Sequence, residues 1–117
     1  MVLPTRLLAV PCKFIKKLGN GFQEVIYQRC LAIEMESAGL NFEREKEHPI
    51  YYNSIQVGTR RADFIVESKI MVELKALIKL EDIHLAQAKN YLVAYNLPLG
   101  LLINFGSNSL QFYRIYK

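Results

Sequence analysis

Residues 57–75 read VGTRRADFIVESKIMVELK, two strand-like runs, 57–66 and 70–75, joined by Glu67-Ser68-Lys69. Side chains alternate along a strand, so Glu73 and Lys75 share one face of the second run, while Ile70, Val72 and Leu74 share the other. On the first run Ala62, Phe64 and Val66 form the apolar set and leave Arg61, Asp63 and Ile65 opposite. Matching the apolar sets across an antiparallel pair sets Val66 against Ile70 and Phe64 against Val72, and so brings Asp63 opposite Glu73. That register needs an odd loop. A two-residue turn would slip the pairing by one and turn Glu73 to the wrong side. Directly opposed residues have Cβ atoms roughly 5 Å apart, close enough for two carboxylates to share one divalent cation.

Around this hairpin the chain reads as two helices, three strands, a helix and two strands. Phe14, Ile15 and Leu18 predict a first helix over about 11–18. Pro11 obscures its start and leaves residues 5–10 open. Gly19-Asn20-Gly21 breaks the chain as a turn. Phe22, Val25, Ile26, Cys30, Ile33 and Met35 then recur near helical period over 22–38, with Gly39 suited to the C-terminal cap. A strand over 41–52 is expected to kink or end near Pro49. Residues 81–95 form a helix that Asp82 can cap. The apolar run 99–105 is a buried strand, and Gly106 to Ser109 turns it into a last strand over 110–115. The pattern is α/β (α+β), a mixed central sheet flanked by helices.

At 117 residues the chain is expected to be one domain, 1–117, able to bury a core without disulfides. A hydrophobic share of 51% leaves room for a covering partner, a homodimer included. The net charge of +4 tolerates a polyanion, but the 15 basic residues are dispersed, so charge alone says little about nucleic acid. Cys12 and Cys30 lack metal-ligand spacing and read as buried reduced thiols. Arg6 interrupts the short apolar start and Pro11 is wrong for a lipoprotein signal. No run approaches the roughly 18 apolar residues of a membrane span, so the expected location is cytoplasmic, away from membranes.

Glu-x-Lys alone is common on solvated strands. Here the strand is otherwise apolar, and a buried polar cluster is costly unless something binds it. Two adjacent carboxylates repel, so one takes a proton unless a cation neutralises them. With no His or Cys in the set, a hard ion such as Mg²⁺ (or Mn²⁺) suits them better than zinc. The plain alternative is a salt-bridge cluster of Asp63, Glu73, Lys75 and Arg61.

The hairpin, the preceding Gly21-x-x-Glu24-x-x-Tyr27, the following Gln87-x-x-x-Tyr91 and the late Leu-Leu-Ile-Asn104-Phe-Gly106 segment together resemble the GxxExxY proteins. These belong to the PD-(D/E)XK nuclease-like superfamily. The likeness runs from about Pro11 to Ile115 and departs at Pro11 and at Ala62, where the superfamily name has proline. It implies a restriction-endonuclease-like core, helix-three strands-helix-strand. By position, Asp63 and Glu73 resemble the metal-binding carboxylates, and Glu24 an additional acidic ligand. Lys75 resembles the lysine that orients or deprotonates the attacking water. Gln87 and Tyr91 resemble a pair that supports the metal cluster and the nucleic-acid backbone. His84, one turn earlier, is a structural or phosphate-side neighbour, and Tyr27 a packing residue.

The leading expectation is a Mg²⁺-dependent nuclease-like phosphodiesterase cutting DNA or RNA. A catalytically inactive nuclease-fold binding or regulatory module is the second reading, since the chain shows no dense basic groove. A hydrolase of a small phosphorylated molecule is the third, because carboxylate-metal chemistry does not dictate substrate size.

Overall fold

The computed structural model describes the backbone of residues 3–117, and all their side chains except those of residues 3–5 and 12. Its elements are α1 (Leu3–Leu18), α2 (Glu24–Ser37), β1 (Phe42–Tyr52), β2 (Ile55–Val66), β3 (Ile70–Lys75), α3 (Asp82–Tyr95), β4 (Leu99–Asn104) and β5 (Gln111–Tyr116). The strands form one sheet in the order β1-β2-β3-β4-β5. All neighbours are antiparallel except β3 and β4, whose parallel pairing requires the crossover that α3 supplies. Both faces of the sheet are covered. Leu7, Val10, Phe14, Tyr27, Leu31 and Met35 of α1 and α2 pack on Phe64, Val66, Val72, Leu74, Leu101 and Ile103. Ala88 and Leu92 of α3 pack on Ile65, Met71, Leu102 and Ile115 of the other face. Burial on two sides is why β3 and β4 read as nearly continuous apolar runs.

The structure settles the helical start that Pro11 left open. α1 begins at Leu3 and carries Pro11 inside it. Leu7, Val10 and Phe14 lie one helical turn apart on a single buried face. That packing outweighs the roughly 3 kcal/mol that an interior proline costs a helix. α2 ends in a Schellman turn: Gly39 takes φ +73°, its N–H donates to Glu36 O at 3.0 Å, and Leu40 N–H donates to Met35 O at 3.0 Å. Leu40 and Met35 are both buried there, which closes the cap hydrophobically.

β1 does not stop at Pro49, which pairs in register with Thr59. It is the edge strand, where a missing N–H can face outward without breaking the ladder. The irregularity falls instead between Ile50 and Tyr51. α3 is capped by Glu81 rather than Asp82, with the Glu81 N–H donating to His84 Nδ1 at 2.9 Å. Cys30 is half-buried with a free thiol. The thiol of Cys12 lies outside the described residues. No helix among them is long and apolar enough to cross a membrane.

Candidate active site

The loop that decides the site has three residues. Val66 pairs with Ile70 and Phe64 with Val72, and Lys69 N–H closes the turn onto Val66 O at 3.0 Å. Glu67 and Ser68 take φ +53° and +56°. Asn41 braces the turn from outside, accepting the Glu67 N–H at 2.8 Å on its carbonyl and donating its own N–H to Glu67 Oε1 at 3.1 Å.

The ladder between β2 and β3 ends at Phe64 and Val72, one step before Asp63 and Glu73. Beyond it Asp63 Oδ2 accepts the Leu74 N–H at 2.7 Å, taking a position that a β2 carbonyl would fill in a regular ladder. Ala62, still paired with Lys46 of β1, also leaves the ladder with β3, donating its N–H to Tyr95 Oη at 2.7 Å. On β1 the opposing Glu45 takes φ +50° and drops out of the pairing between Arg44 and Lys46. Strict alternation therefore breaks at this point. Ala62 packs in the α3-side cluster with Ile65, not with Phe64 and Val66 as the period-two pattern predicts.

Where the strands part, Asp63 and Glu73 come together. Glu73 is buried and, when it carries a proton, shares a side-chain hydrogen bond with Asp63. Burial, then the Asp63 charge beside it, push its carboxyl up to about 8, while Arg60 and Lys75 pull it down. Burial raises Asp63 as well, opposed chiefly by the Leu74 N–H. Glu24, the first residue of α2, is raised by partial desolvation, with Lys75 lowering and Asp63 raising it further. The Glu24 and Lys75 charges thus feel one another across the mouth of the site. Among the described residues, however, no three His, Cys, Asp or Glu side chains close into a metal centre. Glu24 stands beside the pair rather than joined to it.

Three partners escape the sequence reading. Gln28 is buried and donates Nε2 to Asp63 Oδ1 at 3.5 Å. It lies four residues after Glu24, so helical spacing could have found it. Arg60, not Arg61, takes the ion pair with Glu73, Nη2 to Oε2 at 3.0 Å, and its guanidinium lies 3.8 Å above the Tyr91 ring. Arg61 sits outside on Glu47 at 3.6 Å, so the salt-bridge cluster has a different arginine from the one expected. The signal missed was the irregularity at Asp63, which no alternation rule contains. Asn104, fully buried, accepts the Leu77 and Gly106 N–H groups and donates to Leu77 O and Gln111 Oε1. It pairs in register with Lys75 and locks the chain leaving β3.

α3 closes the other wall. His84, Gln87, Ala88 and Tyr91 line a narrow cleft against Arg60, Glu73, Lys75 and Leu102. Tyr27 takes no part in it. Its buried ring stacks on Phe105 at 4.5 Å, and its hydroxyl donates to Gly19 O and accepts the Phe22 N–H, which pins the Gly19-Asn20-Gly21 turn.

The donor set suits a hard divalent ion. Asp63 and Glu73 bring carboxylate oxygens together with no soft ligand, Glu73 Oε1 is buried and, once ionised, has no hydrogen-bond partner among the described residues, and the cost of ionising Glu73 is what a bound cation would offset.

A mixed five-stranded sheet between helices, with paired carboxylates where two strands part and a lysine two residues on, defines a restriction-endonuclease-like fold. The chain belongs to the PD-(D/E)XK nuclease superfamily, whose family model matches residues 3–115. Among solved structures it is similar to the crystal structure of SSO0001, at 22% identity and a TM-score of 0.64 over 80% of this chain. The match spans half of that longer chain and speaks for the fold alone. No curated protein sequence matches the chain.

Proposed function

We propose that this chain is a metal-dependent phosphodiesterase that hydrolyses the backbone of DNA or RNA. The observation that carries the reading is the buried Glu73 beside the half-buried Asp63, with Glu73 held up to about 8 next to Lys75. In it Asp63 and Glu73 would hold Mg²⁺ or Mn²⁺, with Glu24 beside them at the start of α2. A bound ion there would lower the pKa of its water and stabilise the charge that develops on the phosphodiester. Lys75, a compact ammonium on the same strand face as Glu73, orients the attacking water and offsets that charge. Gln87 and Tyr91 support the centre from α3. The superfamily assignment favours a nucleic-acid substrate over a small phosphorylated molecule.

The test is incubation of the purified chain with labelled single- and double-stranded DNA and RNA in the presence of Mg²⁺ or Mn²⁺. Cleavage lost in Lys75→Ala is expected. No cleavage above that control would overturn the reading.

One observation favours the second reading, a nuclease-fold binding module. Glu73 already has a cationic partner in Arg60. Calorimetry separates the two: heat on adding Mn²⁺ that disappears in Asp63→Ala supports the enzyme, and no heat at millimolar ion supports the module.

A further inference from the structure

We propose that Arg60 is the resident cation of the carboxylate pair, a gating residue that a divalent ion must displace from Glu73 in order to bind. The inference rests on the reading of Asp63 and Glu73 as cation ligands.

Arg60 is held on two sides. Its Nη2 donates to Glu73 Oε2 at 3.0 Å, and its guanidinium carbon lies 3.8 Å over the face of Tyr91. The Arg60 side chain is 27% exposed and that of Glu73 4%, so the pair is sheltered from water at the carboxylate end and reachable at the other. Shelter is what lets the guanidinium compete with an incoming ion, because interactions there are weakly screened.

The latch is also incomplete. A guanidinium and a carboxylate can pair through two parallel hydrogen bonds. Here the contact runs from one nitrogen to one oxygen; Arg60 Nε is buried with no hydrogen-bond partner among the described residues, and Glu73 Oε1 has none while its carboxyl is ionised. Buried polar atoms left unpaired raise the energy of the latched state. Its release is accordingly less costly than breaking a fully satisfied pair.

Space gives the same answer. The cleft between Glu73, Lys75 and α3 has a free volume of about 10 Å³, room for a single water at most. On this side of Glu73 the guanidinium takes the space through which an ion would reach the carboxylate. Arg61, one residue on, cannot substitute, since it pairs with Glu47 on the exposed face of the hairpin.

The test compares Mn²⁺ binding to the full chain and to Arg60→Gln by calorimetry at one pH and ionic strength. Glutamine keeps an N–H donor for Glu73 and removes the charge. Affinity in Arg60→Gln is expected to rise on the order of tenfold, and Asp63→Ala is expected to abolish binding in either background. Independently, the Nε–H resonance of Arg60 in the wild-type chain should shift and begin to exchange with water as the ion is added. This second readout decides the matter if Arg60→Gln does not fold. Equal or weaker affinity in Arg60→Gln, or an Nε–H resonance unmoved at saturation, overturns the gate and leaves the metal reading intact. No binding by any variant overturns both.

Discussion

Asp63 Oδ2 accepts the backbone N–H of Leu74 at 2.7 Å, so a side-chain carboxylate ends the β2/β3 ladder. One residue therefore has two duties: it satisfies a backbone donor that would otherwise be unpaired, and it turns its remaining acceptor capacity toward Glu73. Asp63→Ala should lose both. Leaving the Leu74 N–H without a partner costs about 1–3 kcal/mol, to be read as a drop in the urea midpoint. Asp63→Asn keeps an oxygen for that N–H and should recover most of the stability while losing affinity for Mn²⁺.

Glu73 sets a pH dependence whose sign follows from its shift. Its carboxyl is held up to about 8 in the fold against 4.5 in the unfolded chain. The folded state thus keeps a proton that the unfolded state releases first. The stability from this group is full below about pH 4.5 and is lost as pH rises toward 8. Glu73→Gln should leave stability near pH 5 little changed and raise it at pH 8.5, by ~1–3 kcal/mol, in urea titrations without divalent ion. A loss of stability at pH 8.5 would contradict this.

Tyr95 ties the end of α3 to the point where the hairpin parts. Its hydroxyl accepts the Ala62 N–H and lies within hydrogen-bond distance of Lys46 O and Arg60 O. Tyr95→Phe removes the hydroxyl without emptying the ring's space. Thermal unfolding should show a loss of about 1–3 kcal/mol.

Gly106 has no alternative residue. A Cβ there would stand 2.3 Å from Leu77 N and 2.5 Å from Ala76 C, both backbone atoms that cannot swing aside. Gly106→Ala should cost more than ~3 kcal/mol by prising the chain after Lys75 away from Asn104. Gly58→Ala, with nothing within 4 Å of its Cβ position, is the matched control and should unfold close to wild type.

Much of this architecture was legible because its signals are local. The apolar sets of Phe64 and Val66 against Ile70 and Val72 admit one register, and that register demands the three-residue loop seen at Glu67-Ser68-Lys69. The apolar run after Pro98 likewise predicts a buried β4, which the structure pairs parallel to β3. α3 shows where apolar pattern is a weaker guide: Ile83 and Val93, apolar residues within the predicted helix 81–95, are 59% and 50% exposed, and Ala88 and Leu92 carry the buried face.

The site was legible in outline only. Alternation and register bring Asp63 and Glu73 to the end of the β2/β3 ladder, one step past the Phe64 and Val72 pair. That Gln28 reaches Asp63, and that Arg60 takes Glu73 while Arg61 turns away, go with the break at Asp63. The break depends in turn on groups more than ten residues away, the Leu74 N–H and the Tyr95 hydroxyl, which replace ladder partners. The register of β2 on β3 was thus written in short-range hydrophobic pattern, and the two carboxylates were placed beside it. Their charge state and their cationic partner were set by burial and by contacts distant along the chain, because desolvation and ion pairing depend on which atoms surround a group and not on its sequence neighbours.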